Sequence, residues 1–484
     1  MTIRPLSWWV SATIGICSAA LGSSCGGGGG GGGSTPPLAP LRSADWVTVR
    51  GDQLTAYRDA MPGDSAPRAA AEPGELRAYA WRQGAFQAIP FQIDEKSAGD
   101  QWVYRTYPGE VDADTGIDDN DELVVAAKDL GERAPATAWL NDADARRYPR
   151  AEVEVTDPLQ PGLQRFAYLF RTTTGALSPD DYVAHVGASG FNTSPPQVRG
   201  LGYELGFNHS YRDSLYDYLR ILAAGPTDTT SPDLLDKMKA KGEAKVKDPV
   251  FGTWVQVTFN EGLPAISVSL TGLIDGPIRV VERSERHILL TLLGQPLLDT
   301  TVEAEALYYP WSVRIPLAFD PSEIGGALPA GVKDVLVSGT IDLAPTAVGM
   351  RFSNAHVSGV PIDGKPDSVP RDLSSWSAIE GSNGRLVVVG NYGSFAGVSF
   401  CYVDDSSGNA QHCVARAKDT GDGMSYGEAG LLIDVAAFLA DPATEAADLT
   451  QTLWLLGPDS TETGETLLRH QQQPLVASTA ISTL

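Results

Sequence analysis

The sequence predicts an all-β, mainly antiparallel fold, in which an N-terminal β-sandwich is followed by a larger sandwich-like β-domain with few short helices. Apolar and polar residues alternate at period two over many short segments. The 51 glycines and 33 prolines interrupt these segments, as is typical of short strands joined by turns. Helical periodicity is confined to residues 215–223 and 431–439.

The N-terminal sandwich is expected between residues 44 and 175. Its predicted strands cover residues 47–50, 75–81, 87–93, 123–126, 152–155 and 165–170. A stretch rich in Gly, Pro and Ser then leads into the larger β-domain, residues 176–484, whose C-terminal segment begins at about residue 373. The predicted strands of this domain cover residues 252–260, 277–293, 312–319, 334–342, 385–389 and 450–456.

Residues 1–24 have the layout of a secretory signal, with Arg4 before a short apolar run. The segment Leu21-Gly22-Ser23-Ser24-Cys25 resembles a bacterial lipoprotein signal, which implies that Cys25 becomes the acylated N-terminus and holds the protein to a membrane. Eight glycines follow, so residues 25–43 are expected to be a flexible tether. We therefore expect an exported envelope lipoprotein of the outer membrane, on its periplasmic or its surface side. Ordinary secretion with an incidental Cys25 is the alternative.

Charge and motif content exclude several classes of protein. The 36 Lys and Arg against 60 Asp and Glu give a net charge of −24, which opposes nucleic-acid binding. The six histidines show no zinc-site spacing. The chain also lacks a P-loop and a Rossmann fingerprint, and nothing signals a nucleotide, flavin or haem cofactor.

Two cysteines of the C-terminal segment are predicted to form a disulfide. Cys401 and Cys413 flank a turn-forming sequence at residues 404–409. Two strands joined by that turn would bring the thiols face to face, and an oxidising compartment favours the bond.

Seven carboxylates crowd into residues 110–122. Hard oxygen ligands grouped around a glycine are what Ca²⁺ prefers, although the spacing departs from an EF-hand. The expected metal ligands are Asp112, Asp114 and Asp118, completed by Asp121 or Glu122. A solvated acidic turn without metal is the alternative.

Half of the ten lysines alternate along one predicted strand, with small or apolar residues between them. A row of ammonium groups on one strand face could follow an acidic polysaccharide. Lysines that protect an exposed edge strand are the alternative. The row consists of Lys237, Lys239, Lys241, Lys245 and Lys247.

A second predicted strand would place Arg279, Arg283 and His287 on one face, with Tyr309 further along the chain. The stretch Gly-Pro-Ile-Arg-Val-Val at 276–281, leading into a long strand, resembles the β-supersandwich of polysaccharide lyases and galactose-mutarotase-like proteins. The resemblance implies an arginine that neutralises a uronate carboxylate and a His or Tyr base that takes the α-proton. Cross-strand ion pairing is the alternative.

Together these features favour a lipid-anchored module that binds polysaccharide or has a structural role in the envelope, with a calcium loop. The alternative function is a lyase-like enzyme that acts on an acidic glycan.

Overall fold

The computed structural model describes residues 41–55, 57, 71–104, 116–186, 197–208, 215–248, 251–261, 266–292, 295–315, 331–390, 392, 395–407, 413–414, 417, 419–441 and 450–484. Of the candidate site residues named above, Cys25, Asp112 and Asp114 lie outside these ranges, as do the predicted signal at residues 1–24 and most of the tether at residues 25–43.

The described chain is built mainly of β-strands. In its first half these are β1 (Trp46–Arg50), β2 (Leu76–Arg82), β3 (Ala85–Ala88), β4 (Gln92–Asp94), β5 (Glu122–Ala126), β6 (Arg150–Thr156), β7 (Gln164–Arg171), β8 (Ala184–Val186), β9 (Gln197–Arg199), β10 (Tyr203–Gly206), β11 (Tyr218–Ile221) and β12 (Leu235–Lys247).

In the second half the strands are β13 (Trp254–Asn260), β14 (Ile266–Asp275), β15 (Val280–Leu292), β16 (Gln295–Tyr309), β17 (Ser312–Ile315), β18 (Val332–Leu343), β19 (Arg351–Asn354), β20 (Val360–Pro361), β21 (Trp376–Gly381), β22 (Gly384–Gly390), β23 (Val398–Asp405), β24 (Ser425–Asp434), β25 (Gln451–Leu456) and β26 (Val476–Ser482). The α-helices of the described residues are α1 (Val435–Ala440) and α2 (Gly464–Gln472). Short 3-10 helices cover Gly51–Gln53, Pro73–Glu75, Ala127–Asp129, Ala145–Arg147 and Pro345–Ala347.

The strands form five antiparallel sheets, which confirms the predicted all-β class. Sheet A has the order β1-β5-β4, sheet B β26-β6-β7-β2-β3, sheet C β11-β10-β9-β8, sheet D β13-β12-β18-β24-β23 and sheet E β14-β15-β16-β17-β25-β22-β21-β19-β20.

Sheets A and B pack against each other as the predicted N-terminal sandwich. Alternate residues of their strands, such as Val49, Leu123 and Val153, share one buried apolar cluster. The β2–β3 hairpin turns at Gln83 and Gly84, whose φ angles are +53° and +80°, as a type I′ turn requires. The domain bounds 44–175 and 176–484 stay a prediction, and β26 joins sheet B from outside the first range.

The larger core lies between sheets D and E and is extended by sheet C. Period two decides which side chains enter it: on β12, Met238 belongs to this core, whereas its neighbour Lys239 points to the outer face of sheet D. On β25 of sheet E, Leu453 and Leu455 belong to the core, and Trp454 packs in a separate cluster on the opposite face.

One predicted helix is wrong. Residues 215–223 contain the strand β11, in which Leu219 and Ile221 are buried and Arg220 alternates with them. The Arg220 guanidinium binds Glu204 on the paired strand β10 at 2.7 Å, a cross-strand contact that helical periodicity does not anticipate. The predicted helix at 431–439 is half right, because β24 continues to Asp434, whose carboxylate then caps α1.

No helix among the described residues has the length and apolar character needed to cross a membrane.

Candidate functional site

A cavity of about 400 Å³ lies on the outer face of sheet E, where β17 and β25 pair. Arg314 faces Thr452 across this pair, and Trp454 lies two residues further along β25. The alternate residues Val313 and Leu453 enter the core, so the backbone alternation itself directs the other side chains outwards. This space is called the Trp454 cavity below, and its polar and aromatic walls come from Asp45, Trp46, Arg314, Trp454, His470 and Gln471.

The helix α2 and the start of β1 close the other side of the Trp454 cavity. Thr463 caps α2 by accepting a hydrogen bond from the Thr466 amide at 3.2 Å. At the C-terminal end of α2, Arg42 donates to the Gln473 carbonyl at 2.9 Å and to Asp157 of the N-terminal sandwich at 3.1 Å. This anchored end carries His470 and Gln471, so both side chains are held against the outer face of sheet E.

Four buried polar atoms belonging to residues around the Trp454 cavity have no hydrogen-bond partner among the described residues. They are Asp45 Oδ1, Trp454 Nε1, His470 Nδ1 and Gln471 Oε1. Asp45 Oδ1 and His470 Nδ1 are 3.5 Å apart. Because these two atoms face each other, Trp454 Nε1 and Gln471 Oε1 are the two of the four without a neighbouring polar group of the described residues. Buried polar groups are nearly always satisfied, so this pair indicates a missing polar partner.

An aromatic stack forms one wall of the same cavity. The Trp46 ring lies 3.6 Å from the Tyr309 ring at an interplanar angle of 11°, and 6.0 Å from the Trp454 ring. Trp46 and Trp454 therefore add flat apolar surface beside the unsatisfied polar atoms, a mixture that suits a ligand with both apolar faces and hydroxyl groups.

Of the four expected catalytic residues, the structure joins Arg279 and Tyr309 by a side-chain hydrogen bond and leaves Arg283 and His287 apart from them. Arg279 is buried, donates from Nε to Asp94 at 2.6 Å, and places Nη2 2.9 Å from Glu122. Tyr309 is also buried, behind Trp46. Both therefore belong to the interior between β1, β4, β5 and sheet E.

The other two expected catalytic residues lie far along β15. Arg283 and His287 are four and eight residues beyond Arg279, which corresponds to about 13 and 27 Å along a strand. Arg283 lies over the Tyr104 ring at 4.7 Å, and His287 pairs in register with Thr301. The expectation of one shared groove is corrected: a single face of a strand spreads residues at this spacing instead of grouping them.

The expected lysine row lies on a strand, but its centre is not exposed. The side chains of Lys239 and Lys241 have 0% exposure. Lys239 Nζ contacts Asp342 and Asp419, and Lys241 Nζ lies 2.5 Å from Asp419 and 3.5 Å from Glu428. The row is therefore corrected to a buried ion cluster.

The ends of the row have different environments. Lys237 is largely buried and lies 3.9 Å from Glu261, whereas Lys245 is half exposed and pairs with Asp334 at 2.8 Å. Lys247 is exposed. The interpretation as an edge strand is also wrong, because β12 lies between β13 and β18 within sheet D.

The carboxylates of Asp121 and Glu122, in the described part of the acidic loop, already bind other groups of this chain. Asp121 accepts hydrogen bonds from the amides of Lys96 at 2.9 Å and Asp118 at 3.0 Å, and burial raises its pKa to about 6. Glu122 pairs with Lys96 Nζ at 2.8 Å and with Arg279. The expectation that Asp121 or Glu122 completes a calcium site is corrected, because amides and cations already occupy these carboxylates.

Asp118 accepts a hydrogen bond from the Asn120 amide at 3.1 Å. The remaining expected ligands, Asp112 and Asp114, lie outside the described residues. The described residues contain no group of three His, Cys, Asp or Glu side chains able to hold a metal ion.

The predicted disulfide is confirmed. Cys401 on β23 is bonded to Cys413, and their Cα atoms are 5.8 Å apart. Both residues belong to a small apolar cluster with Leu432 on the outer face of sheet D. Cys413 lies in a bend instead of the second strand that the sequence suggested.

Sequence reasoning missed the Trp454 cavity. Its walls come from three distant parts of the chain that no local motif connects. The lining residues are Asp45, Trp46, Arg314, Thr450, Thr452, Trp454, Leu468, His470, Gln471, Gln472, Pro474 and Leu475. The sequence does place Trp454 on the same face of the predicted strand 450–456 as Thr452 and Leu456. Which residues pack against that face depends on tertiary contacts that the local sequence does not show.

Comparison with known proteins adds two distant structural likenesses. No family model and no curated protein matches the chain. An alpha-mannosidase from Enterococcus faecalis V583 is 10% identical over 90% of this chain and 44% of its own, with a TM-score of 0.42. A protein in glycosyl hydrolase family 38 from Enterococcus faecalis is 9% identical over 90% of this chain and 45% of its own, with a TM-score of 0.42. The chain thus spans less than half the length of either protein, and no function is carried over from them.

Proposed function

We propose that this protein binds carbohydrate in the Trp454 cavity. The observation that carries the proposal is a cavity walled by two tryptophans, beside which Trp454 Nε1 and Gln471 Oε1 have no hydrogen-bond partner among the described residues. A volume of about 400 Å³ lies within the range of small-ligand sites.

A sugar ring matches this combination better than a purely apolar or a purely ionic ligand. Its C–H face packs on an indole ring, and its hydroxyls both donate and accept hydrogen bonds. The Trp454 indole and the Gln471 carbonyl oxygen offer one donor and one acceptor of that kind. Arg314 adds an exposed guanidinium at the rim, suited to a pair of hydroxyls or a carboxylate.

Binding fits the described lining better than hydrolysis. Glycoside hydrolysis generally uses two carboxyl groups on either side of the scissile bond. Asp45 is the one carboxylate among the residues that line the Trp454 cavity in the described part of the chain. The proposal is therefore a binding module, with the wall residues providing recognition instead of bond cleavage.

The first test removes the indole N–H and keeps an aromatic ring. Trp454→Phe is expected to weaken oligosaccharide binding about tenfold, the equivalent of roughly one good hydrogen bond. A glycan array identifies the oligosaccharide, and isothermal titration calorimetry then measures Kd for both proteins.

The matched control is Trp254→Phe, because Trp254 is exposed on β13 of sheet D. It is expected to leave Kd unchanged. Equal losses in the two variants, or no loss in Trp454→Phe, would exclude the Trp454 cavity as the site. Arg314→Gln separates ligand classes, since it should weaken a uronate-containing glycan much more than a neutral one.

We also propose that the protein is exported and anchored to the outer membrane through Cys25. The support is the lipoprotein-like segment 21–25 and the glycine tether that follows it. A tether of this composition would let the Trp454 cavity reach glycans away from the membrane surface.

Anchoring predicts that Cys25→Ser abolishes incorporation of labelled palmitate and releases the protein from the membrane fraction. Cys17→Ser is the matched control, because Cys17 lies within the predicted signal and should leave labelling intact. Palmitate labelling that survives Cys25→Ser would contradict the anchor.

A further inference from the structure

A second cavity lies inside the large core, between the facing surfaces of sheets D and E. Its volume is about 190 Å³. Sheet D contributes Met238, Ile341 and Leu431, and sheet E contributes Leu386 and Leu453. Protein interiors are packed so closely that voids larger than a water molecule are few, so a space of this size inside a sandwich needs an explanation.

Small residues leave this space open. Ala240, Gly339 and Ala429 lie on the neighbouring strands β12, β18 and β24 of sheet D and line the cavity with small side chains. Opposite them, Ser377 of β21 also has a small side chain. The cavity therefore results from the choice of residues on both sheets and not from a gap between the sheets themselves.

The groups that the lining residues present to the cavity are uncharged. Lys239 is its one ionisable cation among the described residues, and its ammonium group binds Asp342 and Asp419 on the outer face of sheet D. The hydroxyl of Tyr216 forms a hydrogen bond with the hydroxyl of Tyr308. A charged ligand would therefore find no counter-ion, and would lose its hydration on entering.

Three polar side chains also line the cavity near the start of β25. Gln451, Ser377 and Tyr392 are among the lining residues, and they supply amide and hydroxyl groups in an otherwise aliphatic wall. A ligand with an apolar body and one neutral hydrogen-bonding group matches this distribution.

We propose that the cavity between sheets D and E binds a small uncharged amphiphile, a short aliphatic chain that ends in a hydroxyl. An apolar cavity of 150 Å³ binds benzene, so about 190 Å³ accommodates a chain of roughly six to eight carbons. This activity is independent of the carbohydrate site, which lies on the opposite face of sheet E.

The experiment measures Kd for linear alcohols from butanol to decanol by calorimetry, using the whole protein. An apolar site of limited volume predicts that each added methylene tightens binding about fourfold until the cavity is full. Beyond roughly octanol the affinity is expected to fall at least tenfold, because the extra carbons must displace packed side chains. An affinity that keeps rising through decanol would indicate surface adsorption and overturn the proposal.

Two variants locate the site. Ala429→Leu fills the cavity and is expected to weaken hexanol binding at least tenfold, whereas Ala378→Leu, on the opposite face of sheet E, should leave it unchanged. Leu453→Ala enlarges the cavity and should move the length limit to longer alcohols, which keeps the test valid if Ala429→Leu does not fold. Unchanged binding and an unchanged limit in these variants would refute the site, and Trp454→Phe should retain alcohol binding.

Discussion

Replacing Lys239 with methionine is expected to lower the free energy of unfolding by about 3–5 kcal/mol, since the substitution leaves the buried carboxylate of Asp342 without its cation. The side chains of Lys239 and Asp342 both have 0% exposure. Burial alone would lower the pKa of Lys239, but the carboxylates of Asp342, Glu428 and Asp419 outweigh it and hold that pKa above its ordinary value. The Lys239 ammonium is therefore charged and neutralises the buried carboxylates beside it.

Urea denaturation at pH 7 measures this loss. The matched control is Lys247→Met at the exposed end of the same strand, which should change stability by less than about 0.5 kcal/mol. A double variant, Lys239→Met with Asp342→Leu, is expected to recover part of the loss, because it removes one orphaned carboxylate together with its partner. Lys239→Met that is as stable as Lys247→Met would show that the cluster contributes nothing.

The second large effect concerns pH and a single buried carboxyl group. Glu282 on β15 accepts a hydrogen bond from the Tyr308 hydroxyl at 2.7 Å, and burial raises its pKa to about 7 from the ordinary 4.5. His185 Nε2 lies 3.8 Å from the same carboxyl, and burial lowers the pKa of His185. The negative charge of Asp275 raises the pKa of Glu282 further.

The sign of the effect follows from proton binding. Between about pH 4.5 and 7 the unfolded chain has lost the Glu282 proton while the folded chain keeps it, so stability falls as pH rises through this window. The shift corresponds to roughly 3 kcal/mol, fully present below pH 4.5 and lost above pH 7.

Glu282→Gln tests this directly, because glutamine imitates the protonated carboxyl at every pH. The variant should match the parent protein at pH 4 and exceed its free energy of unfolding by about 3 kcal/mol at pH 8. Glu380→Gln, at a half-exposed position on β21, is the control and should leave the slope between these pH values unchanged. Asp121 and Asp236, whose pKa values burial raises to about 6, add to the slope in all of these proteins. An identical pH slope in Glu282→Gln would assign the pH dependence to those other groups.

Local patterns predicted the strands well and the site poorly, and both outcomes have physical causes. Period two reports which residues of a strand share a face, so the alternation at residues 75–81 and 237–247 predicted the strands observed as β2 and β12. It does not report what covers that face. Lys239 and Lys241 therefore looked like a solvent-exposed row, although Asp342, Asp419 and Glu428 bury them.

Long-range contacts explain the remaining differences. Arg279 falls within the predicted strand 277–293 and directly precedes the observed β15, but its partner Asp94 is 185 residues away. The Trp454 cavity joins Trp46 to Trp454 and His470 in the same non-local way. The Cys401–Cys413 disulfide was predictable because the two residues are only 12 apart, which leaves few alternative partners.

The pairing of β26 with β6 means that sheet B cannot be completed until the C-terminal end of the described chain has been synthesised. Thr156 and Val476, which are neighbours in sheet B, are separated by 320 residues. At the usual pace of translation, about 5–20 residues per second, β6 waits roughly 16–64 s for its last partner to be made. During that interval its unpaired backbone edge is open to other chains, so a chaperone that shields nascent strands would increase the yield of folded protein more than it would for a protein with only local strand pairs.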